Sequence, residues 1–244
     1  MENTGHPDAE RIIEETIDKY TEYVNPTLAN LMRFAGFGDV EMEAEGAIVR
    51  DYSGNEYIDC LGGYGVFSLG HRHPEVVAAV KDQLERMPLS AKIFFNKPLA
   101  DLAELIARIA PGRLRFTFVA NSGAEAVEGA MKAARIFTGR TDFVATVGGF
   151  HGKSLGSLSA TGREQYRAPF QPLIPGCAHV PFDDPDALDA AVDENTAAVI
   201  VEPVQGEGGI RVPSPDYLPR VREICSRNGA VMIVDEVQTG LGRT

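Results

Sequence analysis

The sequence lacks tryptophan, and among 244 residues it carries three cysteines and five histidines. Cys60, Cys177 and Cys225 lie far apart. An odd, sparse count excludes a disulfide framework and fits a reducing compartment, so a cytoplasmic location is expected. Long apolar runs are missing too: none reaches the roughly 18 residues that a bilayer-spanning helix needs. The stretch Met1 to Glu10 is polar and acidic, so no signal peptide is expected. Positive charge is short. Lysine and arginine number 23 against 35 aspartates and glutamates, a formal net charge of −12. That balance argues against nucleic acid and anionic membrane as main partners, since both need a positive surface. His71 and His73 are two apart with no cysteine at a zinc-site spacing, and His6 and His179 are isolated and expected at the surface or in loops, so no metal site is expected. The sequence also has neither a Walker loop nor a nucleophile elbow.

What is there reads as globular: 44% hydrophobic and 24% charged residues, without internal repeats. A first helix carries Ile12, Ile13, Ile17, Tyr20 and Val24, and Pro26 blocks its continuation. Residues 40–60 read as a small antiparallel unit. In it Ala47 to Arg50 and Tyr57 to Cys60 flank a turn at Asp51 to Asn55. A glycine-rich stretch, Gly62-Gly63-Tyr64-Gly65, follows. Pro74 opens a helix with the stripe Val76, Val77, Val80 and Leu84. Pro98 opens another with Leu99, Leu102, Leu105, Ile106 and Ile109.

Beyond Pro111 the pattern alternates. Apolar strands are expected at Phe116 to Ala120, Phe143 to Val147, Ala197 to Val201 and Val231 to Val234. Helices are expected at Ser122 to Phe137 and Tyr217 to Arg227. Short apolar runs separated by helices imply an α/β fold with a mainly parallel sheet and helices on both faces. In such sheets ligands bind beyond the carboxyl ends of the strands, so the residues after each strand carry the functional argument.

After the first strand, Ser122 is a good N-cap and Glu125 completes a capping box. The amides of that helix start form a ready anion site, though taken alone a capped helix with no further role is the simpler reading. After the second strand, glycines flank Phe150 and His151, which are expected to face a cleft; an aromatic there can stack on a planar ligand or plug the core edge. After the third comes Glu202-Pro203-Val204-Gln205-Gly206-Glu207-Gly208-Gly209, a site-shaping loop or a solvated turn. After the fourth comes Asp235. A carboxylate at the end of a buried apolar strand needs a partner. A metal, a protonated heterocycle nitrogen and a structural ion pair all qualify.

A phosphate site, a stacking aromatic and a carboxylate together suit a flat, phosphorylated, nitrogen-containing cofactor such as pyridoxal phosphate. At these residues the sequence resembles the class III (omega) aminotransferases, fold type I pyridoxal-phosphate enzymes. The matching motifs are Gly70 to Pro74, Asn121 to Ala126, Phe150-His151-Gly152, Glu202 to Gly209 and Asp235 to Thr244, in the family order. The resemblance implies that Gly123 and Ala124, with Ser122, bind the cofactor phosphate and that Phe150 stacks on the ring. It implies that Asp235 pairs with the ring nitrogen, with His151, Val237 and Gln238 completing the cofactor set. Tyr64, Lys153 and Glu207 are implied on the substrate side. A small amine donor, a 2-oxo acid acceptor and a homodimer are implied as partners.

Where ornithine- and acetylornithine-type members carry arginine after the Phe-aromatic-Gly step, this sequence has Lys153. Lysine cannot form the planar fork that arginine offers a carboxylate. The expectation is therefore a putrescine-like diamine donor, with an ornithine or acetylornithine donor as the alternative. The family's cofactor-bonding lysine is expected beyond Gly242-Arg243-Thr244, so the chain is expected to be an N-terminal piece, inactive alone. On this reading residues 1–73 are an N-terminal helix and small antiparallel segment, and residues 74–244 an incomplete large cofactor domain. Two readings of another class remain: a non-catalytic cofactor-binding or interaction module, and a metal- or nucleotide-dependent hydrolase using Asp235 and Glu236.

Overall fold

The computed structural model describes residues 6–244; the start of the chain, residues 1–5, lies outside them. The chain divides into two compact units, Met1–Lys92 and Ile93–Thr244.

In the first unit, α1 (Ala9–Lys19) runs into a π-helical turn, Tyr20–Val24. The sequence stops this helix at Pro26, as expected, but a second helix, α2 (Pro26–Phe34), starts there. Asn25 is extended, and its side chain accepts the Leu28 amide at 3.0 Å. Pro26 then takes the first helical position, where its missing N–H costs nothing. The antiparallel unit forms as β1 (Glu41–Glu45), β2 (Ile48–Asp51) and β3 (Glu56–Ile58), in that spatial order. β2 pairs β3 with Ile48 opposite Ile58. Asp51 closes the turn: its carboxylate accepts the Asn55 amide at 2.8 Å and the Tyr57 hydroxyl at 2.8 Å. These bonds hold its pKa below the ordinary range, although burial opposes them. The helix α3 (Pro74–Arg86) follows.

The second unit begins with α4 (Lys97–Ile109), capped by Asn96. Then come α5 (Gly123–Thr138), β4 (Asp142–Thr146), α6 (Leu155–Ala160) and α7 (Glu164–Arg167). After these lie β5 (Cys177–Val180), α8 (Pro185–Ala191), β6 (Thr196–Val201), α9 (Tyr217–Asn228) and β7 (Val231–Val234). The strands form one sheet in the order β5-β4-β6-β7, every pair parallel.

The alternation along β6 explains the layering. Val199 and Val201 pack on one face with Leu188 of α8 and Val221 and Ile224 of α9. Ala198 and Ile200 pack on the other with Val127 and Met131 of α5. Every residue of β6 is buried. Each large apolar side chain so enclosed contributes about 1.5–3 kcal/mol.

One expectation fails, and two that hold carry a difference in burial. Phe116 to Ala120 forms no strand, because no neighbour offers it a ladder: the sheet ends at β5 and β7 among the described residues. Phe116 and Phe118 are exposed there. The stripes on α3 and α4 form at helical spacing, yet neither helix buries a residue. No described helix is long and apolar enough to cross a membrane.

Candidate functional site

Because β4, β6 and β7 are parallel neighbours, the residues following them emerge at one edge of the sheet. Val201 sits opposite Val234, which puts Glu202 and Asp235 next in register. Backbone bonds continue the ladder past the strands, with the Asp235 amide donating to the Val201 carbonyl at 2.8 Å.

Asp235 is 8% exposed, and its partner is His151, whose Nδ1 lies 2.8 Å from Asp235 Oδ2. The second oxygen, Oδ1, accepts the Val237 amide at 3.0 Å. Of the three kinds of partner open to Asp235 from sequence, a protein side chain is therefore present. No group of three or more metal-ligating side chains occurs among the described residues. His151 differs from expectation: it does not face a cleft but is buried at 2%. An ionised Asp235 can only accept, so the proton of their bond sits on Nδ1, and Nε2 is buried without a hydrogen-bond partner.

Ser122 caps α5 by accepting the Glu125 amide at 3.2 Å, and Glu125 accepts the Asn121 amide at 2.6 Å. The amides of Gly123 and Ala124, at the first helical positions, have no acceptor within the helix. Two close approaches join this helix start to the sheet edge. A Cβ on Gly123 would lie 2.9 Å from Val237 Cγ1. A Cβ on Gly152 would lie 2.9 Å from Ala124 Cβ, and Gly152 has φ +133. Only glycine serves at Gly152, where a side chain would be both strained and blocked. Ser122, Gly123, Ala124, Phe150, His151, Asp235 and Val237 are thus brought together. Gln238 packs against the Gly206 backbone in the same region.

Phe150 is half-buried, its ring edge-on to Tyr166 at 6.2 Å. Arg163 lies over the Tyr166 ring at 4.9 Å and donates to the Glu207 carbonyl at 2.6 Å. Glu207 and Lys153 are exposed. Tyr64 belongs to the first unit, exposed, with φ +57.

Sequence reasoning missed three contributors. Glu202 is 5% exposed and accepts the Phe150 amide at 3.0 Å. Burial pushes its carboxyl pKa up and the Asp235 charge adds to this, while the Phe150 and Gly206 amides and His151 oppose. The signal was available, since Glu202 follows an apolar strand just as Asp235 does. Thr161 Oγ1 accepts the His151 amide at 3.0 Å. Gln205, fully buried, donates to Thr146 Oγ1 at 3.1 Å and to the Val147 carbonyl at 3.0 Å. His179, expected at the surface or in a loop, is instead half-buried on β5, 2.7 Å from Arg167. Burial and that guanidinium hold its pKa down.

Residues 39–244 match the family model of class-III aminotransferases. The chain belongs to that family, whose members depend on pyridoxal phosphate. It is 48% identical over 230 residues to an acetylornithine aminotransferase of Methanopyrus kandleri, covering 94% of this chain and 57% of that protein. Among solved structures it is similar to an ornithine aminotransferase from Toxoplasma gondii, described with partial pyridoxal phosphate occupancy. That match has a TM-score of 0.81, 33% identity and coverage of 94% and 54%. A Bacillus anthracis aminotransferase matches with a TM-score of 0.86, 30% identity and coverage of 96% and 57%. The chain therefore spans little more than half the length of these relatives.

The described residues fit the family's cofactor. The buried Asp235 carboxylate suits a protonated ring nitrogen, the α5 start offers amides to a phosphate, and the glycines at 123 and 152 let that helix start lie close against Val237 and the loop after β4.

Proposed function

We propose that the full-length protein transfers an amino group from an acetylornithine- or ornithine-type donor to a 2-oxo acid such as 2-oxoglutarate. The observation that carries the reading is Asp235, buried at the end of β7 and held by His151. When bound, pyridoxal phosphate supplies an electron sink for the carbon that loses its proton. Asp235 holds a proton at the ring nitrogen, and a buried carboxylate does this better than an exposed one. His151 fixes the carboxylate's direction from behind. The amides of Gly123 and Ala124, with Ser122, take the phosphate, and Phe150 covers one ring face. Val237 and Gln238 would complete the set that holds the cofactor. Glu207, Lys153 and Tyr64 are assigned to the substrate. A second copy of the chain and a cytoplasmic setting belong to the same reading.

The donor class rests on the 48% identity to an acetylornithine aminotransferase and on the ornithine aminotransferase likeness. These relatives favour it over the putrescine-like donor expected from sequence. One observation keeps the diamine as a second reading: the residue after Gly152 is Lys153, which lacks the bidentate fork for a donor carboxylate. A screen of the full-length protein decides. Glutamate formed from acetylornithine or ornithine supports the first reading. Glutamate formed from putrescine, with neither of those turned over, supports the second.

A further inference from the structure

Glu202 is a buried carboxyl that the reading above leaves without a task. It stands one residue past β6, 5% exposed. Among the described residues no lysine or arginine forms an ion pair with it. A buried carboxylate without a cation is costly to keep. The β6 ladder does not require it, because pairing runs through Thr196–Val201. What it does is accept the Phe150 amide at 3.0 Å, across 52 residues of sequence. The turn carrying Phe150 has Gly148 at φ +87 and Gly152 at φ +133. A turn hinged on two such glycines has little conformational preference of its own. Backbone bonds tie Gly148 and Gly149 to Gly162 and Thr146, and Asp235 holds the His151 ring; further along, two side chains take the turn's amides, Glu202 at Phe150 and Thr161 at His151. Burial raises the Glu202 pKa, which marks the cost of placing a carboxyl there.

We propose that Glu202 is a positioning residue of the cofactor site: by holding the Phe150 amide it sets the direction in which the Phe150 ring is presented. The inference rests on the cofactor reading above, since it assigns Phe150 a ring to cover. Its role runs through Phe150, and no contact with cofactor or substrate is assigned to it.

The test compares Glu202→Ala and Glu202→Gln in the full-length protein. Pyridoxal phosphate is titrated into apoprotein, and hydrogen exchange of the 148–152 segment is measured without cofactor. Loss of the charge-assisted bond in Glu202→Ala raises the cofactor dissociation constant roughly tenfold and speeds exchange of the segment. Glu202→Gln keeps an acceptor oxygen and restores affinity to within about twofold. A position that merely needs a filled core would be rescued equally by Glu202→Met, which keeps the volume but offers no oxygen acceptor; the proposal expects Glu202→Met to stay as weak as Glu202→Ala. Wild-type affinity in Glu202→Ala, unchanged exchange, or a Gln variant as weak as the Ala variant overturns the proposal. A wild type that binds no pyridoxal phosphate overturns the cofactor reading itself and this inference with it, an outcome distinct from the other three.

Discussion

His151 Nδ1 and Asp235 Oδ2 lie 2.8 Å apart, with side-chain exposures of 0% and 5%. The pair joins the loop after β4 to the loop after β7 across 84 residues of sequence. Removing one member of such a pair leaves the other buried and under-bonded, which costs more than the bond itself contributes.

His151→Ala is therefore expected to lose about 1–3 kcal/mol of stability in chemical denaturation. In the full-length enzyme it should lower kcat more than it raises KM for the donor, because His151 acts on Asp235 and not on the substrate. A variant with reduced stability but unchanged kcat would show that the pair is structural.

The double-sided burial of β6 leads to a second prediction. Ile200 is fully buried against α5 residues. Ile200→Ala leaves a cavity in a layer closed on both sides, and should cost about 2–5 kcal/mol. Equilibrium denaturation measures this; a loss well under that range would mean that the α5 layer collapses into the space.

Alkaline pH provides a third. Burial pushes the thiols of Cys177 and Cys225 from the ordinary 9.0 up to about 11. Below pH 9.0 folded and unfolded chains both keep these protons, and the contribution is fully present. As pH rises further the unfolded chain releases them and the folded chain does not, so stability falls until the folded thiols ionise at about 11. Denaturation midpoints on either side of pH 9.0 should show the decline, and replacing both cysteines with alanine should flatten it. An equal decline without the thiols would assign it to other groups.

Lys153 provides a fourth. It is exposed directly after Gly152. Lys153→Arg introduces a planar fork. It should raise kcat/KM for acetylornithine relative to putrescine several-fold in the full-length protein. An unchanged ratio would remove Lys153 from donor selection.

Much of the sheet was legible because strands buried on both faces read as continuous apolar runs. Phe143 to Val147, Ala197 to Val201 and Val231 to Val234 correspond to β4, β6 and β7 within a residue or so. Phe116 to Ala120 has the same apolar character and forms no strand, since a strand also needs a ladder partner and local composition does not encode one. β5 escaped notice for the opposite reason. Cys177-Ala178-His179-Val180 holds a single branched residue, and its order comes from pairing with β4. The helix at Pro185 was passed over as well, although its Asp184 cap, which accepts the Ala187 amide at 2.9 Å, is a local signal.

The site divides along similar lines. Asp235 and the Ser122 cap were visible because each breaks a local rule or completes a local motif. The burial of His151 was not visible, since flanking glycines indicate a turn but not which way its side chains point. Glu202 was passed over because a glycine-rich loop with two acids resembles a solvated turn. Its amide partner lies 52 residues away in sequence.

The central claim is that the sheet edge carrying Asp235, with the α5 start, holds pyridoxal phosphate. Titrating the cofactor into full-length apoprotein, wild type and Asp235→Ala side by side, tests it most directly. The account predicts saturable binding by the wild type and a dissociation constant raised roughly tenfold or more in the variant. Equal affinity in the two proteins, or no binding by the wild type, would contradict it.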